Sequence, residues 1–231
     1  MHDIVFISYR EPNAEFNWKA LDDRFQGRTR RLHGVKGIHR AHWVAAHMVT
    51  TDMFYVVDGD AVIMPDFHFN HDVPEHQKDH TFVFRARNPI NDLVYGYGAV
   101  KLLPTSKVLS MDLDNLKPDM TSSLPDSKYH VVHELSNITQ FNTDPFNSWR
   151  SAFRECAKLS SKVIDNQKDK ETEQRLDAWC NLGSDRPNGI WTIKGAKAGR
   201  AYGNAHRDDL AKLRNINDMD WMRSRFEEIR V

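Results

Sequence analysis

The sequence predicts an α/β protein with a helical C-terminal extension, on three observations. Apolar strand-like runs alternate with helix-period segments through the first hundred residues. The third run, Phe54-Tyr55-Val56-Val57, closes on Asp58-Gly59-Asp60, at the kind of strand exit where open α/β sheets collect ligands. The tail beyond residue 188 carries a glycine-rich basic stretch followed by amphipathic helical pattern. Together they imply a core over residues 1–163 and an extension over residues 164–231.

Each element follows from local pattern. Residues 3–9 read as a buried first strand, which Glu11-Pro12-Asn13 breaks before a helix over 15–25. Residues 30–33 form a short strand ending at Gly34, and 38–50 a helix whose inner face is Ala41, Val44, Ala45 and Met48. Strands follow at 53–57 and 81–87, and the glycine-bearing segment from Tyr95 leads into another that ends at Pro104. Residues 106–127 are polar and acidic, and are expected to be irregular. Asp144-Pro145 is a helix start, with Asp144 as N-cap and Pro145 in the first helical position, so a helix is predicted over 146–163. Residues 165–175 read as a charged surface turn, and 194–200 as a glycine-rich basic loop.

Composition bounds the class. The chain has 231 residues, 40% hydrophobic and 28% charged, as an ordinary globular protein does. Its 32 basic and 32 acidic residues cancel, which excludes a global charge signal for nucleic acid. The charges are nonetheless segregated. Residues 24–40 hold six basic side chains and no acids, residues 41–80 seven acids against Lys78, and residues 186–214 seven basic side chains against Asp208 and Asp209. Basic stripes flanking an acidic centre suit a polyanion brought to a cation, although solvated surface is the plainer explanation of charge runs alone. Cys156 and Cys180 have neither a disulfide framework nor zinc-ligand spacing. With no membrane-length apolar run and no signal-peptide pattern, a cytoplasmic protein is expected.

The Asp58-Gly59-Asp60 triplet carries the chemistry. Carboxylates are hard oxygen donors suited to Mn²⁺ or Mg²⁺, and a cation held by one or two of them keeps positions open for substrate phosphates. Gly59 lets the chain turn between them. Asp-Gly between apolar runs is equally a β-hairpin signal, and the decapeptide alone leaves both readings open. Lys36 and Gly37 stand where a helix begins, which suits a pyrophosphate, with Arg40 a weaker companion.

A first strand ending in Ser-Tyr, a basic second αβ unit and a strand-closing Asp-x-Asp together resemble the front half of a GT-A glycosyltransferase, a Rossmann-like mixed sheet with flanking helices. Four segments sharpen the likeness: Ile-Ser-Tyr-x-Glu-Pro-Asn-Ala-Glu-x-Asn-Trp (7–18), His-Gly-Val-Lys-Gly-Ile-His (33–39), Phe-Tyr-Val-Val-Asp-Gly-Asp-Ala (54–61) and Phe-Asn-Thr-Asp-Pro-Phe-Asn-Ser-Trp-Arg (141–150). They are similar to the phage DNA glycosyltransferases of the TET/JBP-associated type, which include arabinosyl- and glucosyltransferases acting on 5-hydroxymethylcytosine. The resemblance runs to about Cys156.

It implies a UDP-sugar donor, a divalent cation on Asp58 and Asp60 with His206 as a third ligand, and a nucleoside held by Ser8, Tyr9 and Glu11. Lys36, Gly37, Asp58 and Gly59 would complete the donor site. Asp144 would deprotonate the acceptor hydroxyl, with N-capping as its alternative role. Arg150, Arg154 and Glu155, on one predicted helix, would touch phosphate or sugar, against the alternative of a surface ion-pair cluster. Tyr95, Tyr97 and Trp191 are candidates for stacking on an extruded pyrimidine. Lys194, Lys197 and Arg200 would track the backbone of double-stranded DNA. A glycosyltransferase acting on protein or glycan, and a non-catalytic DNA-binding protein, are the rival classes.

Overall fold

A computed structural model describes residues 1–126, 128–164 and 167–230, which form two compact units. The first comprises Met1–Asn88, Val94–Leu116 and Ser123–Gln140; the second comprises Pro89–Leu93, Lys117–Ser122 and Phe141–Val231. The division therefore falls at residue 140 rather than at the expected 163, because the helix that follows packs with the C-terminal helices.

The first unit is built on β1 (Asp3–Ser8), α1 (Ala14–Phe25), β2 (Thr29–His33), α2 (Ile38–Ala46), β3 (Met53–Asp58), β4 (Ala61–Ile63), β5 (Thr81–Arg87), β6 (Val94–Tyr95), β7 (Val100–Pro104), α3 (Thr105–Leu109) and β8 (Tyr129–Thr139). The strands form one mixed sheet in the order β2-β1-β3-β7-β5-β8-β4, with β6 beside β5. β1 runs parallel to β2 and β3, and β7 runs antiparallel to both β3 and β5. β5 and β8 are parallel, and β4 is antiparallel to β8. Ile4, Phe6, Tyr55, Val57, Phe84 and Leu102 share one core cluster, and Val5, Phe54, Val56, Val83 and Leu103, which alternate with them, are buried as well, which is why these strands read as largely apolar runs. Burial, only partly offset by the His71 amide at its hydroxyl, pushes the Tyr55 phenol up to about 12.

In this unit one open alternative closes and two expectations change. Gly59-Asp60 joins β3 to β4 without making a hairpin, because β4 pairs with β8 while β3 pairs with β1 and β7. The helix predicted over 38–50 stops at Ala46. There the Asp3 carboxylate accepts from the Thr50 amide at 2.8 Å and from Arg30 at 2.7 Å, drawing the chain into the turn that re-enters the sheet. The excursion at 106–127 contains α3 and a 3₁₀ turn at Thr121–Ser123, and Ser127 lies outside the described residues.

The longest strand, β8, is not announced by hydrophobic pattern. Its buried end is polar: Ser136 and Asn137 are fully buried, Ser136 Oγ donates to the Arg85 carbonyl, and Asn137 Nδ2 donates to Thr139 Oγ1. Internal hydrogen bonds permit this burial while erasing the period-2 signal.

The second unit contains α4 (Pro145–Ser161), α5 (Asp169–Asn181), α6 (Gly189–Ala205), α7 (Leu210–Arg214) and α8 (Met219–Arg230), and is helical as expected of the extension. Most of the stretch predicted as a surface turn at 165–175 belongs to α5, whose buried Thr172, Leu176, Trp179 and Cys180 lie at helical spacing mainly past the charged part. Asp165 and Asn166 of that stretch lie outside the described residues.

The basic loop predicted at 194–200 is also corrected: it is the middle of α6. Gly195, Gly199 and Gly203, four residues apart, lie on one face against α4. A Cβ on them would fall well under 3.0 Å from the carbonyl oxygens of Trp149, Phe153 and Ala157 respectively. The glycines permit backbone-to-backbone packing that offsets their poor helix propensity of about 1 kcal/mol each.

Candidate functional site

Parallel pairing brings the C-terminal ends of β1, β2 and β3 to one edge of the first unit. Ile7 pairs with Asp58 and Ser8 with His33, so Ser8, His33 and Asp58 leave the sheet side by side. Ser8 Oγ lies 2.9 Å from His33 Nδ1. Glu11 turns back toward the strand end, and its Oε2 accepts from the Tyr9 amide at 2.7 Å. The same oxygen would lie 2.9 Å from a Cβ placed on Gly59, and Ser8 Cβ 3.0 Å from it. Gly59 is thus small because a carboxylate and a serine side chain already occupy its flank.

Both aspartates have anchored backbones. The Asp58 amide donates to the Ala99 carbonyl at 2.9 Å, and the Asp60 carbonyl accepts from the Gln140 amide at 2.7 Å. Asn17 Nδ2 donates to the Gly59 carbonyl at 3.0 Å from a buried position on α1, and Asn13 Nδ2 donates to Gln140 Oε1 at 3.2 Å. The carboxylates of Asp58 and Asp60 are half-buried, and Lys101 Nζ lies 3.7 Å from Asp58 Oδ2. Two carboxylates carried on an anchored backbone are hard oxygen donors of the kind that suits a divalent cation whose remaining ligands are substrate oxygens. Among the described residues no group of three or more His, Cys, Asp or Glu side chains is arranged to hold a metal by itself. Lys36 and Gly37 are exposed at the start of α2, with Gly37 at φ 92° as its N-cap; Arg40 is exposed one turn on.

The remaining predicted residues belong to the second unit, apart from Tyr95 and Tyr97 in the first. Asp144 caps α4: its Oδ1 accepts from the Asn147 amide at 2.9 Å and its Oδ2 from Asn147 Nδ2 at 2.6 Å. Arg150 is half-buried on α4. Glu155 is buried and lies 3.3 Å from Lys158, which reaches Asp119 at 3.5 Å, while Arg154 donates to Asn217. Burial works against the Lys158 ammonium, but Glu155 and Asp119 outweigh it and hold its pKa above the ordinary value. Glu155 thus belongs to a buried ion-pair cluster with Lys158 and Asp119, not to the surface cluster foreseen as the alternative for it, Arg150 and Arg154.

His206 follows the last turn of α6 with its ring edge-on to Tyr202. The three basic residues of α6 divide. Lys194 and Lys197 are exposed, Lys194 lying 4.6 Å over the Trp191 ring, whereas Arg200 pairs with Glu173 at 2.6 Å and Asp177 at 2.9 Å. A hydrogen bond from Cys156 and the nearby Arg200 bring the Cys180 thiol down to about 7, while burial pushes Cys156 well up. Tyr95 is buried against Tyr97, and Trp191 packs on Phe226.

Sequence pattern missed His33, Asn17 and Lys101. His33 closes a strand just as Ser8 and Asp58 do, and Lys101 is a single charge within an apolar strand, so both carried a readable signal. Asn17 carried none, since a helix-borne asparagine reads as surface. No protein-family model matches the chain, and no curated protein matches it either. Among the described residues no helix is long and apolar enough to cross a membrane.

Proposed function

We propose that the chain is a cation-dependent glycosyltransferase of GT-A type. It transfers a sugar, arabinose or glucose, from a UDP-sugar to 5-hydroxymethylcytosine or another hydroxymethylpyrimidine in phage DNA, in the cytoplasm of the bacterial host. The observation that carries this reading is the assembly of Ser8, Glu11, His33, Asp58 and Gly59 at the exits of three parallel strands, with Asp60 on the outgoing turn. This is where an α/β sheet receives a nucleotide.

In this function Tyr9 and Glu11 face the nucleoside, Asp58 and Asp60 would hold Mn²⁺ or Mg²⁺, and Lys36 with the start of α2 receives phosphate oxygens. When bound, the cation supplies charge neutralisation at the departing diphosphate. Asp144 is the candidate for taking the proton of the acceptor hydroxyl, a role that its present cap bonds leave for substrate to reveal. Lys194 and Lys197 supply exposed charge for a DNA backbone. A second reading, transfer to a protein or glycan, draws on Arg200, whose charge is taken up by Glu173 and Asp177.

The test is nucleoside mass spectrometry after incubating hydroxymethylated DNA with a panel of UDP-sugars. Transfer by the parent, lost in EDTA, restored by Mn²⁺ or Mg²⁺ and absent in Asp60→Ala, is the expected result. Full activity in EDTA overturns the metal assignment, and transfer to glycan alone selects the second reading.

A further inference from the structure

Lys101 is 6% exposed, in a strand whose other residues, Val100, Leu102, Leu103 and Pro104, are all buried. A lysine in that setting carries a desolvation cost unless its ammonium has a partner. Its partner is Asp58, at 3.7 Å. The path to that partner is built into the chain: Gly98 adopts φ +87°, and a Cβ there would lie 2.9 Å from Lys101 Cε. Gly98 therefore serves both the turn before β7 and the passage of the lysine stem. Next along the chain from Asp58, Gly59 has the Glu11 carboxylate against it. Glu11, Asp58 and Asp60 bring three negative charges to this end of the sheet, and Lys101 sets a fixed positive charge among them.

We propose that Lys101 is a positioning residue that makes the Asp58-Gly59-Asp60 centre selective for a cation bearing a diphosphate over the bare cation. The inference rests on the reading of that triplet as a metal–diphosphate centre. The physical reason is the sign of the interactions. A bare divalent cation is attracted by the carboxylates and repelled by the ammonium. A cation carrying a diphosphate brings its own negative charge, so the ammonium repels it less and attracts the phosphate oxygens. Lys101 thus disfavours the bare cation relative to the cation–diphosphate complex, which is selectivity between the two as ligands.

Titration of Mn²⁺ alone, UDP alone and Mn²⁺ with UDP, followed by calorimetry and by the resonance signal of free Mn²⁺, tests this on the parent, Lys101→Met and Lys101→Arg. Lys101→Met should bind bare Mn²⁺ about tenfold more tightly and UDP alone more weakly, so that the preference for the Mn²⁺–UDP complex over bare Mn²⁺ falls by about tenfold or more, the effect of one unit charge at a partly screened site. Lys101→Arg, which keeps the charge, should restore the parental preference for the complex over the bare cation. A thermal melt of each variant accompanies the titrations. Should Lys101→Met fail to fold, Lys101→Gln, which keeps a hydrogen-bonding group toward Asp58, is read in the same way. Bare-metal affinity that is unchanged or weakened in the neutral variant overturns the role of Lys101 while leaving the metal centre intact. A parent that binds no Mn²⁺ with or without UDP overturns the reading of the centre itself, and the inference falls with it.

Discussion

Gly59 in the first unit and Gly195, Gly199 and Gly203 in the second are all positions where a Cβ would collide, and they differ in what it would strike. At Gly59 the neighbours are the Glu11 carboxylate and the Ser8 side chain; along α6 they are backbone carbonyls of α4, joined at Gly203 by the Ser160 hydroxyl. A flexible carboxylate can shift by a few tenths of an ångström, but a helix backbone moves only by separating two packed helices. Crowding by side chains marks a place where polar groups converge, and crowding by backbone marks a place where helices touch. The same contrast separates Asp58, whose carboxylate stands half-buried at a sheet edge, from Glu155, which is buried with Lys158. In the second unit Glu155, Lys158 and Arg200 are taken up in holding its own helices, whereas the first brings the half-buried Asp58 and Asp60 to its strand ends.

The sharpest challenge to that division is Asp144, which lies in the second unit yet is proposed to act in chemistry. Asparagine caps a helix as well as aspartate does. Asp144→Asn should therefore keep stability within about 0.5 kcal/mol while lowering transfer turnover by roughly 100- to 10,000-fold, with donor affinity nearly unchanged. Parental turnover would confine Asp144 to its cap.

Packing comes next in size. Gly199→Ala should destabilise the second unit by about 3 kcal/mol in urea unfolding, since the added methyl meets the Phe153 carbonyl. A change under about 1 kcal/mol would show that α6 can slide. Asp3 tests the opposite edge of the sheet from the proposed site. Burial would raise its pKa, but the Thr50 amide and the Arg30 guanidinium outweigh burial and hold it below the ordinary value. Its contribution is thus fully present above the ordinary carboxylate value and is lost as pH falls through the lowered folded value. Asp3→Asn should cost about 2 kcal/mol at pH 7 and flatten the acid limb of the stability–pH curve. A limb as steep as the parent's would assign acid unfolding elsewhere.

Smaller effects separate the basic residues of α6. Lys194→Ala with Lys197→Ala should lower the slope of log DNA affinity against log salt by about two units without loss of stability. Arg200→Ala should instead act on the packing of α5 against α6, since its charge is already paired. A parental slope in the double variant removes α6 from the DNA interface. Gly59→Ala should have the smallest effect on stability, about 1 kcal/mol, because Glu11 can yield. Its weight should fall on nucleotide affinity, measured by calorimetry. An unfolding change as large as that of Gly199→Ala would erase the distinction between the two kinds of glycine.

Sequence alone determined the elements whose signals are local. The strand at 53–58 is apolar up to its closing Asp58, that at 81–87 opens on Phe82-Val83-Phe84, and Asp144-Pro145 starts a helix through a cap bond within three residues of itself. The tertiary structure decided what depends on partners distant in the chain. It turned Asp58-Gly59-Asp60 away from a hairpin, since β4 found β8, some seventy residues on, instead of β3. It made a helix of a glycine-rich basic stretch, because α4 supplied a backbone for Gly195, Gly199 and Gly203 to lie against. It hid β8, whose buried Ser136 and Asn137 are satisfied by hydrogen bonds that no periodicity records. Propensity and capping act over a few residues and are written in their order, whereas strand pairing, close helix contact and the burial of Lys101 beside Asp58 exist only once the chain has brought distant residues together.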